Sequence, residues 1–247
     1  MIDLNSSSAV ALSGRINWHI DAAIDADAAR QPRRNYLGAS VIADPCERAV
    51  QYYALGAEQD RPALGTKQDI FERGHWIEEL MIKRMRGAGF VLADRDMRTL
   101  EQFEVEWFGG RVKGHPDALL LFWMGMDECP IALPALWECK GLGSKWFKKV
   151  VKEGLRACFP RYYGQMQLLM GGFKLARGLF TAVNADTMER YHQVIEFSPS
   201  ACEALLARAG RIFLANDAGE LLPRPYFNSA GMECSMCNYK TTCWPKQ

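Results

Sequence analysis

The chain of 247 residues carries 30 Lys+Arg against 29 Asp+Glu, a formal net charge of +1, so it cannot grip nucleic acid through bulk positive charge. Hydrophobic residues make up 49% and charged residues 24%, which excludes a largely disordered chain and fits a globular protein with one large domain or two small ones. Apolar runs such as 118–124 are too short to cross a bilayer, and residues 1–30 carry Asp3, Asp21, Asp25 and Asp27 without an export pattern. The expected location is the cytoplasm, with no membrane partner.

Residues 1–35 read as a peripheral segment in which 16–29 is a weakly amphipathic helix. Compact structure is expected from Leu37-Gly38-Ala39-Ser40, with Ser40 capping a helix that reaches Tyr53. A longer helix is predicted over 66–86, apolar at Ile70, Trp76, Ile77, Leu80, Met81 and Met85 and ended by Gly87 and Gly89. From 90 to 140 the period shortens to two. Phe103, Val105 and Trp107 alternate with glutamates, and Gly109-Gly110 marks a hairpin turn. Stretches 117–123 and 133–139 read as buried strands. Helices are predicted over 144–155 and 161–175, strands over 179–184 and 191–197, and a helix over 198–213 opened by Ser198-Pro199. This order of elements predicts an α+β domain.

The strand-rich middle carries chemistry. Pro116-Asp117 opens one predicted strand, and Trp137-Glu138-Cys139-Lys140 closes the next. Residues two apart on a strand share a face, so Glu138 and Lys140 point together and Cys139 points away. If the strands pair, Asp117 stands beside Glu138. Two converging carboxylates repel unless a divalent cation joins them, and oxygen ligands favour Mg²⁺ or Mn²⁺. A lysine beside such an ion suits phosphodiester hydrolysis. The plainer alternative is a solvated Glu138–Lys140 ion pair, worth little.

Residues 140–161 hold Lys140, Lys145, Lys148, Lys149, Lys152, Arg156 and Arg161 against the single acid Glu153, with Trp146 and Phe147 among them. This local basic stripe suits a DNA backbone, although a solvated helix face is the ordinary reading of such a run. Of the eight cysteines, Cys129, Cys139, Cys158 and Cys202 read as small buried hydrophobes. Cys234, Cys237 and Cys243 crowd into 233–244, where no long apolar run would bury them.

In order, His75, Pro116-Asp117, Glu138-Cys139-Lys140 and Gln165 resemble the PD-(D/E)XK nucleases, in particular the RecB-like branch. Tyr162-Tyr163-Gly164-Gln165-Met166-Gln167-Leu168-Leu169-Met170, with 180–184 and Leu37-Gly38-Ala39-Ser40, is similar to the lambda-exonuclease group. Cys46 in Asp44-Pro45-Cys46-Glu47-Arg48, together with Cys234-x2-Cys237-x5-Cys243, resembles the iron–sulfur RecB-like nucleases, the CRISPR-associated ones included. The matches cover about residues 36–243.

The resemblance implies a restriction-endonuclease-like core, a central mixed β-sheet flanked by helices, as a nuclease domain over 36–232. The segment 233–247 would close back onto the N-terminal region at Cys46. It implies metal ligands at His75, Asp117, Glu138 and the Cys139 carbonyl, a catalytic Lys140, and Gln165 on the following helix. It also implies a 4Fe–4S cluster on Cys46, Cys234, Cys237 and Cys243. Zinc is the rival occupant, although the one-plus-three spacing departs from common zinc modules. Contacts to DNA fall on Ser40, Arg33 or Arg34, Lys145, Lys148, Lys149, Lys152 and Tyr163. RecB-like members often carry Tyr four residues after the motif glutamine. Here position 169 is Leu, which leaves the roles of Gln165 and Gln167 open.

The function expected is a Mg²⁺- or Mn²⁺-dependent deoxyribonuclease acting at DNA ends in recombination, repair or replication. A homo-oligomer or a recombination protein would be its company. The alternatives are a non-catalytic DNA-binding adaptor and a DNA-trimming subunit such as one processing CRISPR spacers.

Overall fold

The computed structural model describes residues 7–30, 34–60 and 65–245. In chain order the elements begin with α1 (Ser7–Arg30), β1 (Leu37–Gly38), α2 (Ala39–Ile42), α3 (Glu47–Ala54) and α4 (Gly65–Gly87). Next come β2 (Phe90–Ala93), β3 (Val105–Trp107), β4 (Val112–Gly114), β5 (Ala118–Trp123) and β6 (Ala135–Leu142). They are followed by α5 (Ser144–Glu153), α6 (Leu155–Cys158), α7 (Pro160–Phe173), β7 (Arg177–Asn184) and β8 (Arg190–Glu196). The C-terminal part is α8 (Pro199–Asp217), α9 (Met232–Ser235) and α10 (Lys240–Cys243).

A five-stranded sheet runs β2-β5-β6-β7-β8, with β6 and β7 parallel and the other neighbours antiparallel. A three-stranded sheet, β1-β4-β3, stands beside it. The α+β class and the mixed central sheet expected from the sequence are both present. Strands β6 and β7 are buried nearly throughout, because helices cover both faces of their sheet. Period two divides the side chains of β6 between those faces. Trp137 and Cys139 face Ile77, Met81, Ile82 and Met85 of α4. Leu136 and Leu142 face Phe147 and Val150 of α5 and Met166, Leu169 and Met170 of α7. The far side of α7 packs through Leu168 on Ile42 of α2 and on Ala209 and Ile212 of α8. At Gly164 a side chain would stand 2.6 Å from the Ala43 Cβ, so only glycine lets α7 approach the chain after α2 so closely.

The predicted helix from Ser40 to Tyr53 is two helices, and Gly38, not Ser40, stands at its N-cap. Pro45 lacks an N–H and disfavours a helical Asp44, so the chain turns there. The Asp44 carboxylate accepts the Cys46 N–H at 3.0 Å in place of a helical carbonyl. The predicted 144–155 helix likewise breaks at Gly154, whose φ is +80°. Two other predictions hold. Ser198 caps α8 by accepting from the Ala201 N–H, and Phe108, Gly109 and Gly110 form the β3–β4 turn with positive φ.

Gln167, whose role the sequence left open, is fully buried and structural. Its side-chain amide donates to the Glu196 carbonyl at 3.0 Å, and its Oε1 accepts the Ser198 N–H at 2.7 Å. It joins α7 to the β8–α8 corner. Gln167→Ala removes two hydrogen bonds to partly buried backbone groups, so unfolding in denaturant should show a loss of about 1–3 kcal/mol with an unchanged m-value.

Candidate active site

The site begins where two strands part. Pairing of β5 with β6 covers only Ala118–Leu120 against Ala135–Trp137. Beyond Trp137 the edge of β6 facing β5 has no strand partner, although its other edge stays paired with β7 out to Leu142. Asp117, one residue ahead of β5, occupies this notch. Its Oδ2 accepts the Cys139 backbone N–H at 2.7 Å. A strand residue's N–H and carbonyl point to the same edge, so the Cys139 carbonyl also faces the notch, while its side chain lies in the α4-side core.

Glu138 and Lys140 project from β6 on the face opposite Cys139, as period two requires. Lys140 Nζ lies 2.6 Å from Glu138 Oε1 and 3.4 Å from Asp117 Oδ2, so one ammonium bridges the two carboxylates. The same Glu138 Oε1 accepts from Gln165 Nε2 of α7 at 2.7 Å. Glu138 Oε2 is buried with no hydrogen-bond partner among the described residues. Lys140 also sits over the Tyr162 ring at 5.8 Å.

The electrostatics follow from burial and crowding. Burial, then the charge of Asp117, pushes the Glu138 carboxyl up to about 8, with Lys140 pulling the other way. Glu78 of α4, pushed up first by burial and then by Asp117, rises to about 7. Burial alone would lower the Lys140 ammonium, but Asp117 and Glu138 outweigh it and hold its pKa well above the ordinary lysine value. Three acids therefore crowd one ammonium, and the desolvation and repulsion that raise Glu138 and Glu78 are what a hard cation with oxygen ligands would relieve. Among the described residues, no three His, Cys, Asp or Glu side chains converge as a ready-made ion cage. Lys140 holds the space between Asp117 and Glu138.

A cleft of about 560 Å³ opens on this spot, with Glu78, Asp117 and Gln165 in its lining and the cationic Arg34, Arg95 and Lys113 around them. His75 lies on its rim, with a three-quarters exposed side chain and Nδ1 3.8 Å from Glu78 Oε2. The group on α4 that is coupled to Asp117, Glu138 and Lys140 is Glu78, one helical turn further on. Glu78 has no role among the sequence-based expectations; its i+3 spacing from His75, which puts both on one side of the helix, is the signal that could have found it. Ser40 lines the cleft, and its carbonyl accepts from Arg161 at 3.4 Å. Arg33 lies outside the described residues. Lys145, Lys148, Lys149 and Lys152 are exposed on α5, and Tyr163 is half-buried beneath the Arg156 guanidinium at 5.2 Å.

The four cysteines singled out by their spacing line a second cavity, of about 660 Å³. Burial raises the Cys46 thiol, and Cys237 and Cys243 add to the rise. The C-terminal segment is seated there by main-chain contacts. The Asp60 N–H donates to the Asn238 carbonyl and the Thr241 N–H to Asp60 Oδ2, each at 2.7 Å, while Tyr239 packs on Tyr52 of α3. Arg161 and Arg224 stand in the cavity wall.

Against solved structures, the chain is similar to LHK-Exo crystallised in complex with dAMP. The TM-score is 0.53 at 16% identity over 75% of this chain and 89% of that one. It has the fold of that exonuclease. A second crystal structure of LHK-Exo, described as an alkaline exonuclease from Laribacter hongkongensis, gives 0.46 at 18% identity over 76% and 95%. A protein designated SSO0001 gives 0.49 at 15% identity over 94% and 98%. No family model and no curated protein matches the sequence. The restriction-endonuclease-like core expected from the sequence is thus the architecture observed. No helix among the described residues is long and apolar enough to cross a membrane.

A Glu138 pKa raised from 4.5 to about 8 means that the cation-free folded protein keeps a proton that the unfolded chain has released. The associated stability is complete below about pH 4.5 and is lost as pH rises through 8. Denaturant unfolding in chelator should show stability falling between about pH 5 and 8, and Glu138→Gln should flatten that slope.

Proposed function

We propose that the chain is a metal-dependent exonuclease hydrolysing phosphodiester bonds at DNA ends. One observation carries this reading: Asp117 and Glu138 share the Lys140 ammonium in the notch between two parted strands, on the fold of an exonuclease crystallised with dAMP. A solvated surface ion pair would not leave a buried carboxylate oxygen without a partner, as Glu138 Oε2 is left. That orphaned oxygen, Asp117, Glu78 and the Cys139 carbonyl are the oxygen donors that would hold Mg²⁺ or Mn²⁺. When bound, the ion supplies Lewis-acid stabilisation of the charge that builds on the phosphoryl oxygens.

The chain's own groups then have separate tasks. The Cys139 N–H fixes Asp117 Oδ2, and Gln165 fixes Glu138 Oε1, which leaves Oε2 for the cation. Lys140 Nζ carries a proton beside the reacting phosphate and orients the attacking water. Arg34, Ser40 and Lys113 present donors along the cleft for a terminal phosphate. His75, on the rim, would act on a bound cation through Glu78, 3.8 Å from its Nδ1.

For the cysteine cavity we propose a structural 4Fe–4S cluster on Cys46, Cys234, Cys237 and Cys243. Four thiolates are the usual shell for such a cluster, and the one-plus-three spacing departs from common zinc modules. Closing a loop from residue 46 to residues 234–243 restricts the unfolded chain, which makes the group a staple.

Lys140→Ala and Asp117→Ala should each lower hydrolysis of end-labelled DNA by at least about 10³-fold with Mg²⁺ or Mn²⁺ while the protein stays folded. Cleavage by a pure Lys140→Ala preparation at the parent rate, or undiminished cleavage in chelator, overturns the reading. Anaerobically purified protein should be brown and contain iron, and Cys237→Ser should lose both the colour and several degrees of melting temperature.

A further inference from the structure

Between the notch and the basic helix lies a row of rings that the hydrolytic site does not use. Lys140 sits over Tyr162 at 5.8 Å, Tyr162 is 5.3 Å from Phe159 between ring centroids, and Phe159 is 5.4 Å from Trp146. Phe159 and Tyr162 are half-buried, while Trp146 is 46% exposed. Trp146 stands on α5 among Lys145, Lys148 and Lys149, and Lys149 Nζ lies 5.5 Å over its ring. The inward face of α5 is satisfied by Phe147 and Val150 in the core, so Trp146 is not needed to bury this helix.

An exposed indole with an ammonium over its ring, on a lysine-rich helix and at the end of an aromatic row that starts over the active-site lysine, has the composition of a single-strand groove. Cations follow the phosphates, and a flat ring takes a base. A paired duplex keeps its bases stacked on one another and offers such a ring little. Glu153, the only acid between positions 140 and 161, is already 3.8 Å from Lys149, so the remaining lysines keep their charge available to phosphate.

We infer that Trp146 is a base-stacking platform and that α5, with Phe159 and Tyr162, carries a single strand of DNA between the Lys140 notch and solvent. This deepens the proposed nuclease function and rests on it for its biological sense, although the stacking itself can be read without hydrolysis.

The test uses the full-length protein in chelator with a short single-stranded oligodeoxynucleotide carrying 2-aminopurine. Binding should quench the probe, and affinity should fall steeply with salt. Trp146→Ala should abolish most of the quench and weaken binding about tenfold, whereas Trp146→Phe should retain both. Lys148→Ala should lower the salt slope by about one without touching the quench. The inference is overturned if Trp146→Ala binds and quenches like the parent. It is also overturned if a duplex of equal length displaces the single strand at equal concentration. Quenching that depends on Trp146 in a protein that hydrolyses nothing upholds the platform and removes the nuclease reading. Hydrolysis with Trp146 neutral in every measurement does the reverse.

Discussion

The early parting of β5 from β6 governs the site. A paired strand would have taken the Cys139 N–H into the ladder and filled the space with backbone. Because pairing stops at Trp137, that N–H is free to donate to Asp117, and a carboxylate comes to rest beside the β6 edge. The next two outward side chains of the same face, Glu138 and Lys140, then have nowhere to go but toward it. One missing rung of a sheet thus creates an acidic notch with an ammonium inside, and a short main-chain hydrogen bond sets its geometry.

The notch is electrostatically costly by construction. Glu138 is completely buried, and Glu78 approaches from α4, so desolvation and mutual repulsion raise both acids while Lys140 supplies positive charge at close range. A fold shaped only for stability would place apolar side chains at the sheet centre. Helices α4 and α7, packed on opposite faces of β6, deliver Glu78 and Gln165 to the same edge. The site therefore depends on the whole three-layer packing. The surroundings extend its logic: in a chain with a net charge of only +1, cationic groups stand around the cleft and the exposed lysines of α5 continue from it.

The segment 41–60 and the C-terminal segment meet at the cysteine cavity, where Asp60 binds both Asn238 and Thr241 through main-chain and carboxylate contacts. The cavity shares Arg161 with the surroundings of the acidic cleft, since Arg161 reaches both Asp44 and the Ser40 carbonyl. The segment around Cys46 is thereby tied both to the C-terminal cysteines and to the floor on which Ser40 lies.

The sequence by itself determined those features that depend on local period and turn chemistry. Alternation around Phe103–Trp107, the Gly109-Gly110 turn, the Ser198 cap and the shared face of Glu138 and Lys140 all follow from near neighbours. The juxtaposition of Asp117 with that pair was readable because one short antiparallel connection joins their strands. Only tertiary structure decided that Pro45 splits the 40–53 helix, that Gln167 staples α7 to α8, and that Glu78 rather than His75 is coupled to the acids. The spacing of His75 and Glu78 allows either to face the sheet, and the choice comes from how Ile77, Met81 and Met85 seat α4 on β6. Helical periodicity sets which residues share a face, but the angle at which that face meets the sheet is set by packing between residues far apart in the chain.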